Sequence, residues 1–382
     1  MTRLAREEVR PRSVRSAVGA RFARTDRWAL GAWLLTRVGL VFLTLASGVV
    51  LAGQSGFLER WDRWDTRLFV EIARYGYAGN PAEPPDPGLP GFFPGLPLAL
   101  RAAHTIIPDW TAAGLSISFV AGAVAMVALA RLGDLEGTPG AGTWSAVLLM
   151  LSPWAVFLAA GYSEALFLAF ALPAWLSARR GRWWAAGLLA AAASAVRVTG
   201  LFLAAGLIVR FLLRGEWRRP ANAPWLAVPF LSPALYLLYQ YARTGDPLAW
   251  QHAEEAGWGR ELVWPWQSFM TTWHAAFDVH NQFTWSFRAE LVAAAVGVAL
   301  TVWLLVSRRF DEGVYVGGQV LALVTSAFYL SIPRAALLWW PLWLLVGRAA
   351  SRRWWVGAVY VAASTPLMVV IALTFLRGAW AG

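Results

Sequence analysis

Residues 28–53 read WALGAWLLTRVGLVFLTLASGVVLAG, an apolar run of membrane-crossing length with a single charge, Arg37, near its start. A stretch this long exceeds the apolar segment of a cleaved leader and is long enough to cross the hydrocarbon core of a bilayer as a helix. Arg37 is placed to snorkel or to pair inside a bundle. Similar apolar runs follow at 111–130, 142–160, 163–178, 183–197, 199–213, 225–241, 289–306, 314–332, 335–347 and 354–376, giving about eleven spans. Backbone groups left unpaired in lipid are costly, so these spans are expected to be helices and the fold all-α, polytopic and integral to a membrane.

Composition agrees with that reading. Of 382 residues, 58% are hydrophobic and only 14% charged, with 25 Trp and 20 Phe. The mean hydropathy is +0.50. No water-soluble core could hide this much apolar surface, and a disordered chain would not carry it. Cysteine is absent, which removes disulfides, thiolate metal sites and thiol catalysis. The net charge of +11 comes from 33 basic residues, all of them Arg. They are scattered between the spans instead of gathered on one face, so nucleic acid is not an expected partner. Exclusive use of Arg fits a GC-rich bacterial genome, hence a bacterial plasma membrane.

Arginine placement also orients the chain. Residues 1–27 hold 8 Arg against 3 acids and read as a basic cytoplasmic tail facing anionic lipid, with 28–382 a single membrane domain. With the N-terminus inside, the segments 1–27, 131–141, 178–183, 210–224, 307–313 and 348–353 are cytoplasmic and contain 21 of the 33 Arg. The long loops 54–110 and 242–288 then fall outside, along with most of the acids. The cytoplasmic loops are too short for a nucleotide-binding domain. Chemistry is therefore expected at the outer face, on a substrate activated within the membrane.

The first outer loop contains WDRWDTRLFVEIARYGY at 61–77. Trp61, Trp64, Leu68, Ile72 and Tyr75 share one helical face, which predicts a short amphipathic helix in the interface. Asp62, Asp65 and Phe69 fall on the adjacent stripe. Two carboxylates beside a bilayer can do acid–base work; their plainer role is as charges favoured by a helix N-terminus. The Pro/Gly-rich stretch NPAEPPDPGLPG follows and breaks the helix.

At this loop the sequence resembles the PIG-V family of mannosyltransferases. The family pattern R-W-D, then F-x-x-I-A-x-x-G-Y, then F-F-P-x-x-P is matched by Arg63, Trp64, Asp65, Phe69, Ile72, Ala73, Gly76 and Tyr77, and by Phe92, Phe93, Pro94 and Pro97. The likeness continues through Tyr162-Ser163-Glu164, through ASAVRVTGLFL with Arg197 and Gly200, through GDPLAWQHAEEAGWGRELVWPW and through SIPRAALLWWPLW. The resemblance implies a polytopic GT-C glycosyltransferase. Such an enzyme moves mannose from polyprenyl-phosphate mannose to a hydroxyl of a lipid-linked glycan or glycolipid, with inversion, at the extracytoplasmic face. The eukaryotic GPI acceptor does not carry over to a bacterial chain.

That chemistry needs a carboxylate to take the acceptor proton, cations to neutralise the departing phosphate and a groove for the polyprenyl tail. Asp65 holds the R-W-D position and is the expected base. Asp62, one turn away, shares the role or shifts Asp65 by like charge. Arg63, Trp64 and Phe69 flank them. Glu164 either holds acceptor hydroxyls or is a first-turn helix charge. Arg197, Arg260 and Arg334 are the expected phosphate ligands, against the alternatives of snorkelling and ion pairing with loop acids. Arg334 follows Pro333 at a break between spans, as in discontinuous helices that line cavities.

His252, His274 and His280 in the second outer loop lack a tight ligand spacing, so no metal site is assigned, although a magnesium or manganese ion aiding phosphate departure stays open. Trp250, Trp258, Trp264, Trp266 and Trp273 suit an interfacial belt and also sugar stacking. The rival from another class is a transporter or lipid flippase. It calls for mid-bilayer charges and an internal repeat, and the sequence offers neither clearly.

Overall fold

The computed structural model describes residues 12–50, 56–84, 86–218, 220–280 and 282–382. Residues 1–11 of the expected basic tail lie outside this set. The remainder of that tail is helical and runs without a break into the first span, as α1 (Arg12–Val50). The helices of the first long loop, α2 (Asp65–Tyr75) and α3 (Gly95–His104), come next, followed by α4 (Trp110–Leu135), α5 (Ala141–Met150), α6 (Ser163–Arg179), α7 (Trp183–Val196) and α8 (Gly200–Leu213). After α9 (Val228–Thr244), the second long loop forms α10 (Ala249–Trp258) and α11 (Pro265–Phe277). The chain ends with α12 (Thr284–Val306), α13 (Phe310–Val324), the single-turn α14 (Ile332–Ala335), α15 (Trp340–Arg352) and α16 (Trp354–Leu376). Among the described residues there is no strand, only one isolated bridge between Leu262 and Ser326.

Among the described residues, five segments are long and apolar enough to cross a bilayer by themselves: Arg24–Gly48, Trp110–Leu135, Pro220–Thr244, Thr284–Val306 and Trp354–Leu376. Of the other apolar runs, those at 142–160 and 314–332 fold as clearly shorter helices than their sequence length suggests, and the rest give helices of 13 to 17 residues. The run at 142–160 gives only the ten residues of α5, about 15 Å of helix, before the chain turns at Ser152 and Pro153. Apolarity at such positions reflects burial within the bundle, since α5, α6 and α7 are covered by neighbouring helices. The all-helical, integral-membrane reading stands, with a smaller set of self-sufficient spans than eleven.

Packing follows two chemistries. Small residues bring helices together: α4 and α5 meet at Gly133 and Gly142, where an added Cβ would collide with backbone. Large aromatics fill the centre: Tyr315 of α13 stacks on Trp340 of α15 with centroids 3.8 Å apart, and Trp175 of α6 tilts against the same ring at 5.3 Å. Tyr315 Oη donates to the carbonyl of Leu338, which satisfies its buried hydroxyl. Arg37 is buried and has no carboxylate partner among the described residues. Its guanidinium lies 3.7 Å above the Trp33 ring, one turn earlier on α1, so the aromatic face supplies its electrostatic contact.

The helix expected at 61–77 is present but starts later and uses another face. Trp64 takes φ +48, which interrupts the helix, so α2 begins at Asp65. Its buried side is Thr66, Phe69, Ile72 and Ala73. Phe69 and Ala73 pack with Leu96, Leu100 and Ala113 of α3 and α4. Trp61 is buried in the preceding turn against Phe375, whereas Trp64 and Tyr75 remain exposed.

Candidate active site

The offset start of α2 makes Asp65 its first helical residue and sets that carboxylate at the edge of a cleft of about 420 Å³. Three further helix ends converge there. Glu164 lies in the first turn of α6, Arg197 at the junction of α7 and α8, and Arg334 on α14. The break that carries Arg334 is built by the backbone. Ser331 adopts φ +61, and Glu290 of α12 accepts from the amides of Ser331 at 2.7 Å and Ile332 at 2.8 Å, capping the turn.

Arg334 ties the site together. Its Nε donates to Glu164 Oε1 at 2.6 Å and its Nη1 to Asp65 Oδ2 at 2.7 Å. Its guanidinium also lies over the rings of Tyr162 (4.5 Å) and Phe157 (4.9 Å). Arg197 Nη1 reaches Glu164 Oε1 at 2.9 Å and Ser163 Oγ at 2.5 Å. Glu164 has no exposed surface and serves as the shared counter-ion of both arginines. Also lining the cleft, Arg260 Nη1 contacts Glu254 Oε2 at 3.3 Å, and burial on α10 raises the Glu254 carboxyl above the ordinary carboxylate range. Phe69, Phe92, Val196, Phe202, Leu323 and Leu330 give the cleft an apolar wall.

Of the expected residues, Asp65, Phe69, Arg197, Arg260 and Arg334 line the cleft. Glu164 sits beneath it, acting through the arginines. Trp64 stands beside it, exposed and edge-on to Trp380 at 5.3 Å, and Trp380 itself lines the cleft. Arg63 is turned toward Gly378 and does not line the cleft; its carbonyl accepts from Tyr162 Oη. Asp62 is also outside. It precedes α2 and pairs with Arg67 at 3.4 Å on the surface, because the offset helix start takes it off the Asp65 stripe.

Sequence reasoning passed over Glu290, whose signal was an acid inside an apolar span. Trp250 and Trp258 both line the cleft, while Trp264 and Trp266 stack on each other and stay exposed. His252 and His274 pair with Asp246 and Asp278 respectively, and no group of three or more His, Asp or Glu residues suited to a metal exists among the described residues. Within the cleft, Asp65 and Glu254 are each engaged by an arginine, and Glu261 is the third carboxylate that lines it.

The fold defines a class first. The chain superposes on the ArnT protein of Cupriavidus metallidurans, solved with undecaprenyl phosphate bound, with a TM-score of 0.50 over 90% of this chain and 75% of that one. Sequence identity is 13%, so the likeness concerns the fold, the polytopic GT-C architecture. Residues 38–218 then match the family model described as mannosyltransferase (PIG-V). This bears out the PIG-V resemblance over a segment that includes Asp65, Glu164 and Arg197. GPI alpha-1,6-mannosyltransferase 2 of Cricetulus griseus is 38% identical over 174 residues, 43% of this chain and 33% of that protein. The human protein of the same name is 37% identical over 168 residues, 41% and 32% respectively. The matched region is about a third of the length of these relatives.

Proposed function

We propose that the chain is a glycosyltransferase of the PIG-V type, moving mannose from a polyprenyl-phosphate donor to a hydroxyl of a lipid-linked glycan or glycolipid at the extracytoplasmic face. The observation that carries this reading is the Asp65–Arg334–Glu164 chain at the edge of a cleft lined by arginines and apolar side chains. Asp65 is the general base. Its Oδ2 is held by Arg334, and no described residue bonds its Oδ1, which is left for an acceptor hydroxyl. Attack on the anomeric carbon from the side opposite the phosphate inverts that centre. Arg260 and Arg197 neutralise the departing phosphate, and the wall of Phe202, Leu323 and Leu330 takes the first isoprene units. No step is assigned to a metal ion.

Support comes from the mannosyltransferase names of the relatives and from the undecaprenyl phosphate found in the fold neighbour. The test uses purified protein, radiolabelled polyprenyl-phosphate mannose and a membrane lipid extract. Wild type should transfer label to lipid, and Asp65→Asn should lose about 100-fold or more of that activity. Equal transfer by both proteins removes Asp65 from the mechanism, and no transfer by wild type from any polyprenyl donor rejects the class.

A further inference from the structure

Six arginines, Arg179, Arg210, Arg214, Arg308, Arg309 and Arg348, converge on a second recess of about 540 Å³. It lies at the opposite ends of helices that carry the cleft. Glu164 opens α6 and Arg179 closes it, so the two sites stand about 22 Å apart along that helix. Three carboxylates share the recess. Glu136 pairs with Arg179 at 3.3 Å and Arg309 at 3.4 Å, Asp311 with Arg210 at 2.7 Å, and Glu312 with Arg309 at 2.5 Å. These pairs engage three of the six cations. Arg214, Arg308 and Arg348 face the same space with no carboxylate partner among the described residues.

Arginine at helix C-termini is what the helix dipole favours, and α4, α6, α8, α12 and α15 all end near this recess. That accounts for cations at its rim. It does not account for Arg210, which is 5% exposed and whose Nε and Nη2 have no hydrogen-bond partner, nor for the buried, unpartnered Nε of Arg348. Buried guanidinium donors are normally satisfied. An anion with several oxygens, such as a phosphate, meets forked donors of this kind. The walls indicate its source. Leu213 of α8 and Trp303 of α12 line the recess and are 57% and 41% exposed, and Leu212 and Val306 beside them are exposed as well. The recess therefore opens sideways onto apolar helix faces, where acyl chains would lie, and not only toward water.

We propose that this recess binds the phosphate of an anionic phospholipid in the leaflet opposite the cleft, with the acyl chains along α8 and α12. By the arginine asymmetry of the loops, that leaflet is the cytoplasmic one, which is rich in anionic lipid. The site is independent of the transfer chemistry.

The full chain is reconstituted in nanodiscs of phosphatidylcholine with or without cardiolipin, and retained lipid is counted by native mass spectrometry. Wild type is expected to keep cardiolipin. The double variant Arg308→Gln, Arg348→Gln should keep about tenfold less. Arg214→Gln, which removes an exposed cation without an ion pair, should show a smaller loss in the same direction and covers the case in which the double variant fails to fold. Inorganic phosphate added to protein in phosphatidylcholine discs should not raise the melting temperature as cardiolipin does. Equal stabilisation by inorganic phosphate would overturn the lipid as the source, and equal cardiolipin retention by wild type and Arg214→Gln or the folded double variant would overturn the site.

Discussion

Glu164, with no exposed surface, accepts a 2.6 Å hydrogen bond from Nε of Arg334, a residue 170 positions further along the chain. The same carboxylate oxygen is the acceptor for Arg197. One buried anion thus holds two cations from distant segments and fixes the single-turn helix that presents Arg334. Removing one partner of such a group leaves the others buried and uncompensated, at a cost of about 3–5 kcal/mol. Glu164→Ala should therefore lower the melting temperature by many degrees and abolish transfer. A variant that melts with wild type would show that the two arginines do not depend on Glu164.

Glu290 reaches the site through hydrogen bonds to backbone. Its carboxylate caps the amides of Ser331 and Ile332, three and two residues before Arg334. Glu290→Gln keeps the shape but puts an amide NH2 in place of one of the two acceptor oxygens, losing a bond worth roughly 1 kcal/mol. The expected result is a modest drop in melting temperature and about a tenfold fall in kcat, with partial recovery in Glu290→Asp. A loss of stability with unchanged turnover would reduce Glu290 to a scaffold residue.

The long-range parts of this arrangement were readable in outline. Apolar runs give an all-helical membrane chain, the PIG-V resemblance points to Asp65 through its R-W-D position, and Glu164, Arg197 and Arg334 stand out because charges at span ends need a reason. Their mutual contacts could not be read, since no local pattern tells which acid of one loop meets which cation of another. The register of α2 was misread for a different reason. Two Trp at helical spacing suggested an interfacial face, but Trp64 at φ +48 ends the helical path, and only the packed structure selects that backbone. Span lengths were overread at 142–160 because buried and lipid-facing helices are equally apolar.

Glu254 gives the cleft a pH response. Burial raises its carboxyl above the ordinary carboxylate range, with Arg260 opposing that effect. As pH falls through the elevated pKa, the group takes up a proton, loosens its hold on Arg260 and stops repelling an incoming phosphate. KM for a polyprenyl-phosphate donor should therefore fall on the acid side, and Glu254→Gln should give a low KM that no longer varies there. A wild-type KM independent of pH, or a variant that keeps the full response, would exclude Glu254 as the source.

The two acids of the Trp-Asp pairs separate cleanly by experiment. Asp65 lines the cleft and is bonded to Arg334, whereas Asp62 pairs with Arg67 on the surface. Exposed pairs of that kind contribute about 0–1 kcal/mol. Asp62→Asn should consequently melt within a few degrees of wild type and transfer mannose at a similar rate, in contrast to the loss expected for Asp65→Asn. The decisive comparison is initial rate at saturating donor, because a base removed from the reaction lowers kcat and not donor binding. A Asp62→Asn variant as inactive as Asp65→Asn, at unchanged stability, would bring Asp62 into the chemistry and require the turn before α2 to move toward the cleft when substrate binds.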